Sequence, residues 1–258
     1  MKSKRNIAFS LKKTLAFTLA EIIIVIGIIG IVAEMVIPGV IANAFDAYSL
    51  AMVKEDFSII QQAIKMAEVN EGQVWTWYNG TADRASANVS ANQVLSKYLK
   101  VSKNCGATQG CFSPSNYKRL SSSSTAGAAL TIYFDLDNSP TYWSTMMLNN
   151  GSSVGIAAAN FGGSSPYYIS SLYFVVDVNG LKPPNRWGYD TFMFDLASSP
   201  DPNVNQLLRA FGDKTTNTSV NGCYSNAAVS HTSGVGIGCA VWAIYNSNVK
   251  YKNGELLP

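Results

Sequence analysis

The most pronounced pattern along the chain is a stretch near its start in which almost every position is apolar. From Phe17 to Ile37 the sequence reads FTLAEIIIVIGIIGIVAEMVI, and its charged residues are Glu21 and Glu34. A helix needs roughly 20 residues to cross a bilayer, and this stretch is long enough. The pattern therefore predicts a helix that is apolar on all sides, with a carboxylate near each end.

The pattern changes after Pro38. Apolar residues then recur three or four positions apart, which predicts an amphipathic helix with one buried stripe. The stripe consists of Leu50, Val53, Phe57, Ile60, Ile64 and Ala67. Because proline removes a backbone donor and crowds the preceding turn, a kink or local melting is expected near residues 34–38. The two halves together predict one long helix over residues 17–69, ending near Asn70 and Gly72.

The remainder, residues 70–258, is predicted to form a globular head. Runs rich in β-branched and aromatic residues, bounded by Asn, Gly or Pro, predict strands at residues 129–137, 167–178 and 190–196. Residues 92–100 and 204–211 are predicted to be short helices, and a strand is favoured for residues 239–251. A long helix packed on an antiparallel sheet, which is an α+β fold, accounts for this order.

The number and the distribution of charged residues are both informative. Only 14% of the residues are charged, whereas roughly 25% is usual in soluble domains. Five of the 19 basic residues lie in the first sixteen positions, which contain no acid, and the other 14 are balanced by 16 acidic residues. Since binding to nucleic acid needs a basic surface, no nucleic-acid partner is expected.

A basic start followed by an apolar run has two ordinary interpretations. One is a cleaved secretory signal peptide, although the residues after Ile37 offer no convincing small-residue cleavage site. The other is a transmembrane helix, whose preceding cations hold the N-terminus in the cytoplasm and place the head on the far side. Neither interpretation accounts for Glu21, because a carboxylate within a spanning helix is costly unless it is paired or close to the interface.

The stretch AFTLAEIIIVIGIIGIVAEMVIP resembles the N-terminal cleavage and methylation segment of type IV pilins and type II secretion pseudopilins. In that family a short basic leader is cut immediately before a Phe, and the new N-terminal residue is methylated. Counted from Phe17, this chain has Glu21 fifth, Gly30 fourteenth and Pro38 twenty-second, which are positions where the family has the same residue types. The resemblance implies the pilin fold, in which a long N-terminal helix packs on an antiparallel sheet.

The resemblance also implies how the chain is processed and assembled. Prepilin peptidase removes the leader, residues 1–16, by cutting between Ala16 and Phe17. Residues 17–38 then form the half of the helix that lies in the membrane or the filament core. In the family, the carboxylate at the position of Glu21 meets the positively charged N-terminus of a neighbouring subunit. The implied partners are identical or related pilin subunits, prepilin peptidase, an inner-membrane assembly platform and membrane lipid.

Two residues depart from the family pattern. Ala16 stands where the family usually has Gly, but it is also small. Glu34 stands where relatives commonly have a small apolar residue, and solvation at the membrane boundary is its simplest role. For Glu21 the alternative to a filament contact is an interfacial carboxylate in a plain signal anchor.

The four cysteines form two pairs that are close in sequence, Cys105 with Cys111 and Cys223 with Cys239. Disulfides persist outside the cytoplasm, where the transmembrane interpretation places the head. Local pairing is the simplest of the three connectivities, and a disulfide loop near the C-terminus is similar to the loop that many pilins carry. Zinc is the alternative, but neither pair has the spacing of a zinc knuckle, and His231 is the single histidine.

The most distinctive stretch of the head is DVNGLKPPNRWGYDTFMF, residues 177–194. Asp177, Asn179 and Asp190 supply hard oxygen donors around a loop rich in Gly and Pro, which is the chemistry that calcium requires. Some pseudopilins hold calcium in this part of the head, so calcium is the candidate cofactor. The alternative is a turn between two strands, in which Asn179 and Gly180 supply a positive φ.

Three functions follow from these patterns. The first is a structural subunit of a type IV pilus-like or type II secretion pseudopilus filament, made as a single-pass protein of the inner membrane and then assembled in the periplasm or at the cell surface. The second is a minor pilin at the filament tip with an adhesive or nucleic-acid-binding head. The third is a pilin-anchored extracellular enzyme. No catalytic residue is predicted, because the sequence has no triad, phosphate-binding or paired-carboxylate pattern, so an enzyme is not expected.

Overall fold

The computed structural model describes residues 18–78, 80, 83–114, 117–118, 136–137, 142–162, 168–201, 203, 206–211, 236–245, 251–252 and 255–256. Several sequence predictions lie outside these residues. They are the leader with Ala16 and Phe17, nearly all of the predicted strand 129–137, Cys223 and His231. Leu136 and Asp137, the last two residues of that predicted strand, lie in a turn.

Helix α1 runs from Leu19 to Glu71. It passes through Pro38 without an interruption, so the local melting expected at residues 34–38 does not occur, and the kink stays a prediction. The chain divides within this helix into two compact units, Met1–Phe45 and Asp46–Pro258.

The second half of α1 has the predicted buried stripe. Val53, Ile60, Ile64 and Ala67 are buried in the core, and Leu50 and Phe57 pack against it while partly exposed. The helix ends where expected, because Gly72 adopts a φ of +89°, a left-handed conformation that terminates helices and that glycine adopts without strain.

The head is built on one antiparallel sheet in which consecutive strands are neighbours, in the order β1 to β6. The strands are β1 Val101–Gly106, β2 Ser144–Leu148, β3 Ser153–Gly162, β4 Tyr168–Asp177, β5 Thr191–Ala197 and β6 Leu208–Ala210. In the described part of the chain, α1 is followed by helices α2 Arg84–Leu95 and α3 Ala240–Tyr245, and a short pair of strands, β7 Tyr251–Lys252 and β8 Glu255–Leu256, forms a second sheet. The fold is therefore α+β, as predicted, with a long N-terminal helix and an antiparallel sheet.

Both faces of the sheet are covered by apolar side chains. Phe174, Val176 and Phe194 belong to the cluster that includes α1 and α2, and the ring centroids of Phe57 and Phe194 lie 5.2 Å apart. Val175 and Met193 point to the opposite face, where a second cluster contains large aromatic side chains. Because successive residues of a strand point to opposite faces, a strand covered on both sides is rich in apolar residues, as β4 and β5 are. This explains why the sequence identified β4 and β5 correctly.

The second helix differs from the prediction of residues 92–100. Helix α2 begins at Arg84 and ends at Leu95, and Asp83 caps it by accepting hydrogen bonds from the backbone of Ala85 and Ser86. The apolar spacing at 92–100 covers only its last turn and the bend that follows. The first two turns are rich in Ala, Ser and Asn, which pack closely on the sheet without an apolar pattern in the sequence.

Two other assignments are wrong. Residues 204–211, predicted as a helix, contain strand β6, whose Arg209 pairs with Asp195 of β5 at 2.7 Å. Residues 239–251, where a strand was favoured, contain helix α3, which buries Ala240 and Ala243. Periodicity cannot separate helix from strand in such short apolar runs, so the tertiary contacts decide.

Strands β1, β2 and β3 were not predicted. They are rich in Ser, Gly, Ala, Asn and Met, which have little intrinsic preference for strands. β3 is ordered by its neighbours, since it pairs with β2 on one side and with β4 on the other.

Candidate functional site

The start of α1 brings Glu21 and Thr18 together. The Glu21 carboxylate accepts hydrogen bonds from the Thr18 backbone N–H at 2.8 Å and from its hydroxyl at 2.9 Å, and both use Oε2. In return the Glu21 N–H donates to the Thr18 hydroxyl at 3.2 Å. This reciprocal arrangement is a capping box, which satisfies backbone donors at a helix start and places a negative charge at the positive end of the helix dipole.

The capping box supplies a partner for Glu21 that the sequence interpretation missed. The signal was present, because Thr-x-x-Glu immediately before an apolar run is the capping-box pattern. The local bonds occupy one carboxylate oxygen of an exposed side chain, and within the described residues Oε1 accepts no hydrogen bond.

The apolar half of α1 presents its side chains outward. The large apolar residues from Leu19 to Ile41 are each about half exposed or more, and Leu19 and Met35 are 78% and 79% exposed. The helix has a window of mean hydropathy 2.6 and is long and apolar enough to cross a membrane, as judged by length and composition. A signal sequence near an N-terminus meets the same criteria, so the helix qualifies as a membrane anchor or a signal.

Polar contacts at three positions join the amphipathic half of α1 to the rest of the head. The Ser49 hydroxyl donates to the carbonyl of Tyr189, in the loop between β4 and β5. About two turns further on, the buried Asp56 accepts a hydrogen bond from Asn150 at 2.8 Å, in the turn between β2 and β3. At the end of the helix, Glu71 pairs with Lys97 at 2.9 Å. These connecting segments of the head are thus arranged along the amphipathic half of α1, with the β4–β5 loop at the start of that half.

The three residues predicted as calcium ligands do lie together in the β4–β5 loop. Asn179 Nδ2 donates to Asp190 at 3.3 Å, and the Asn179 N–H donates to Asp177 at 3.2 Å. Gly180 has a φ of +67°, as the turn interpretation requires, and an added Cβ would lie 2.5 Å from the carbonyl oxygen of Gly151. A side chain at Gly180 therefore has no room in this turn.

The carboxylates are already occupied by hydrogen-bond donors. Asp190 accepts four bonds, from the backbone N–H groups of Asn185 and Arg186, from Thr191 and from Asn179. A carboxylate has about four lone-pair sites, so this one is saturated. Calcium takes six to eight oxygen ligands, and the free buried acceptor in the predicted set is Asn179 Oδ1. The predicted residues do not fit a calcium ion in this arrangement, and the turn interpretation accounts for their contacts.

A tyrosine that the sequence did not single out completes the cluster. The hydroxyl of the buried Tyr117 donates to Asp177 at 2.6 Å. Burial raises the pKa of Asp177 well above its usual value, and the nearby charge of Asp190 raises it further. Burial also raises the pKa of Asp190, to about 6, against the opposing effect of its backbone hydrogen bonds. Both carboxyl groups therefore bind a proton more readily than exposed carboxyl groups do.

The cysteines that the structure describes are oxidised. Cys105 and Cys111 form the predicted disulfide, with their Cα atoms 6.0 Å apart. Cys239 is also disulfide-bonded. Its predicted partner, Cys223, lies outside the described residues, so that pairing stays a prediction. The first disulfide is incompatible with the zinc alternative for Cys105 and Cys111, and the described part of the chain contains no group of three or more His, Cys, Asp or Glu side chains arranged to hold a metal.

Comparison of the chain with known proteins found no match. No protein-family model matches the chain, and no curated protein and no solved structure is significantly similar to it.

Proposed function

We propose that this chain is a structural subunit of a type IV pilus-like or type II secretion pseudopilus filament. It is inserted in the inner membrane as a prepilin, with the head outside the cytoplasm. Prepilin peptidase then removes the leader before Phe17, the new N-terminus is methylated, and an assembly platform polymerises the subunits through α1.

The observation that carries this proposal is the two-part character of α1. Its first part exposes apolar side chains in all directions, and its second part buries a single stripe in the head. A helix that is apolar all round requires an apolar environment, and the bilayer and the core of a helical filament both provide one. Such a helix can pass from lipid into a filament without exposing its side chains to water.

Glu21 supplies the specificity that apolar packing lacks. In a filament core of low dielectric constant, the Glu21 carboxylate attracts the positively charged N-terminus of an incoming subunit. An unpaired charge there is costly, so docking is favoured where the two groups meet. The disulfide between Cys105 and Cys111 agrees with a head outside the cytoplasm, where disulfides persist.

Processing is the first test. The mature chain is expected to begin at Phe17, because there a basic leader, a small residue and a Phe directly precede the apolar run. Intact mass and N-terminal sequencing of protein from membranes measure this directly. A mature chain that begins after Pro38 would establish an ordinary signal peptide and overturn the filament proposal.

Substitution of Glu21 is the second test, and the capping box makes it selective. Glu21→Gln removes the charge but keeps a side chain that can serve in a capping box, whereas Thr18→Ala breaks the box and keeps the charge. Since stranding one buried charge costs roughly 3 to 5 kcal/mol, Glu21→Gln is expected to lower filament yield by more than about a hundredfold. Thr18→Ala is expected to have a much smaller effect.

Glu34→Gln is the matched control, because it removes the other carboxylate of the same apolar helix. It is expected to leave filament yield near that of the wild type. Each variant is compared at equal levels of cleaved protein, so that loss of processing is not mistaken for loss of assembly. Filament yield of Glu21→Gln equal to that of the wild type would show that Glu21 acts only as a helix cap.

A further inference from the structure

A cleft of about 470 Å³ lies between the amphipathic half of α1 and the part of the head that faces it. One wall is a single flank of α1, because its residues are three or four positions apart, and it consists of Glu55, Ile59, Gln62 and Met66. The other wall is formed by the segment that links α2 to β1 and by the turn between β2 and β3. All of these residues belong to the compact unit Asp46–Pro258. Sites for small molecules have volumes of roughly 300 to 1,000 Å³, so the cleft is large enough to hold one.

Apolar side chains contribute to both walls of the cleft. Ile59 and Met66 line it from α1, and Leu148 lines it from the end of β2. Ile59 also packs against the core, whereas Met66 is 46% exposed. Methionine is unbranched and adapts its shape to what it contacts. The cleft therefore offers apolar surface to a ligand with an apolar side chain.

Two opposite charges also face the cleft, one on each wall. Glu55 lies on α1 and Lys100 on the opposite wall, and both are exposed. Neither forms an ion pair with a described residue. The backbone of Lys100 accepts a hydrogen bond from Asn149 at 2.8 Å, and the next residue, Asn150, donates to Asp56, the neighbour of Glu55, at 2.8 Å. Both charges therefore lie at the end of the cleft that is next to the β2–β3 turn.

The other charged groups near the cleft do not change this arrangement. Asp56 is buried on the same helix as Glu55, so its charge adds to the negative side. At the far end, Glu71 and Lys97 neutralise each other in an ion pair of 2.9 Å, and Glu71 also accepts a hydrogen bond from the Tyr98 hydroxyl at 3.0 Å. The α1 wall is thus negative and the opposite wall is positive.

This distribution of charge selects among ligand classes. Glu55 repels a purely anionic ligand, and Lys100 repels a purely cationic one. A neutral ligand would take both charges away from water and offer neither of them a partner. A zwitterion offers a partner to both. Because the two charges lie at the same end of the cleft, the ammonium and carboxylate groups of the ligand must be close together, as they are in an α-amino acid.

We propose that this cleft binds a free α-amino acid with a large apolar side chain, with its ammonium group at Glu55 and its carboxylate at Lys100. The side chain of the amino acid lies along α1 against Ile59 and Met66. This inference goes beyond the proposed function and does not depend on the membrane anchor, because the whole cleft belongs to the head.

The test compares amino acids that lack one feature each. The full-length chain in detergent micelles is titrated with L-phenylalanine, and Kd is measured by saturation-transfer NMR with empty micelles as the blank. Glycine is expected to bind at least about tenfold more weakly, because it has no apolar side chain to bury. L-phenylalaninamide lacks the carboxylate and N-acetyl-L-phenylalanine lacks the ammonium group. Each is expected to bind about fivefold more weakly, near the upper limit for one exposed ion pair.

Variants of the chain assign each ligand group to its partner. Glu55→Gln is expected to weaken the binding of L-phenylalanine about fivefold but not that of N-acetyl-L-phenylalanine. Lys100→Gln is expected to weaken the binding of L-phenylalanine to the same degree but not that of L-phenylalaninamide. Lys182→Gln is the matched control, because it removes an exposed lysine from the β4–β5 loop, and it is expected to leave every Kd unchanged.

Three results would overturn the inference. The first is equal affinity for L-phenylalanine and its two derivatives, which would show that the charges take no part. The second is an affinity for L-phenylalanine that neither Glu55→Gln nor Lys100→Gln lowers. The third is no binding of L-phenylalanine above the blank. In that case, a disulfide between two copies of the Met66→Cys variant would assign the cleft to a second copy of the chain.

Discussion

Asp56 makes the stability of the head depend on pH in an unusual direction. Its side chain is fully buried on α1, with Oδ1 accepting a hydrogen bond from Asn150 at 2.8 Å. Burial raises the pKa of Asp56 from 3.8 to about 6, against the opposing effect of hydrogen bonds from Ser152 and Asn150. The folded head therefore binds a proton more tightly than the unfolded chain does.

The sign and size of the effect follow from this difference. Between pH 3.8 and about 6 the folded state carries more protons at Asp56 than the unfolded state, so the free energy of unfolding falls as the pH rises. The contribution is complete below pH 3.8 and is lost as the pH rises through about 6. One pKa unit corresponds to 1.36 kcal/mol, and the loss is therefore about 3 kcal/mol. Asp190, whose pKa is also raised to about 6, acts in the same direction.

Asp56→Asn removes the titrating group and keeps its shape. The amide oxygen can accept from Asn150 as the carboxylate does, so the head is expected to fold. Between pH 4 and pH 7, the free energy of unfolding of the wild type is expected to fall by about 3 kcal/mol more than that of Asp56→Asn. Urea unfolding of the unit Asp46–Pro258 at a series of pH values measures both curves.

Glu55→Gln is the matched control, because it removes the neighbouring carboxylate on the exposed side of the same helix. It is expected to leave most of the dependence on pH in place, because the charge of Glu55 is the smallest of the causes that raise the pKa of Asp56. A wild-type curve that rises from pH 4 to pH 7 together with an Asp56→Asn curve parallel to it would refute the reasoning.

Two further predictions concern the head. The Tm of the head is expected to be the same in millimolar calcium as in the presence of a chelator, because Asp190 already accepts four hydrogen bonds. A rise in Tm with calcium that Asp177→Ala abolishes would instead establish a calcium site. Peptide mapping without reductant is expected to find Cys223 linked to Cys239, a loop whose closure stabilises the fold by on the order of 3 kcal/mol, and a link from either residue to another cysteine would contradict this.

The sequence was sufficient wherever a residue's role depends on its own neighbours along the chain. The span of α1 follows from apolar spacing that continues up to Gly72, and β4 and β5 follow from runs rich in β-branched and aromatic residues. The capping box of Thr18 and Glu21 was also readable, since a helix start is a local structure. The pairing of Cys105 with Cys111 followed from their short separation.

The tertiary structure decided what depends on residues far apart in the sequence. Strand β6 forms because β5 offers it a partner, and β3 forms between two neighbours although its own residues favour no strand. The hydrogen-bond partners of the buried acids could not be predicted from the sequence either. Asp177 meets Tyr117 across 60 positions of sequence, and Asp56 meets Asn150 across 94. A sequence shows that a side chain can bind a metal ion or a proton. Which hydrogen-bond donors surround that side chain depends on packing. Here packing places internal donors against the carboxylates of the predicted calcium ligands.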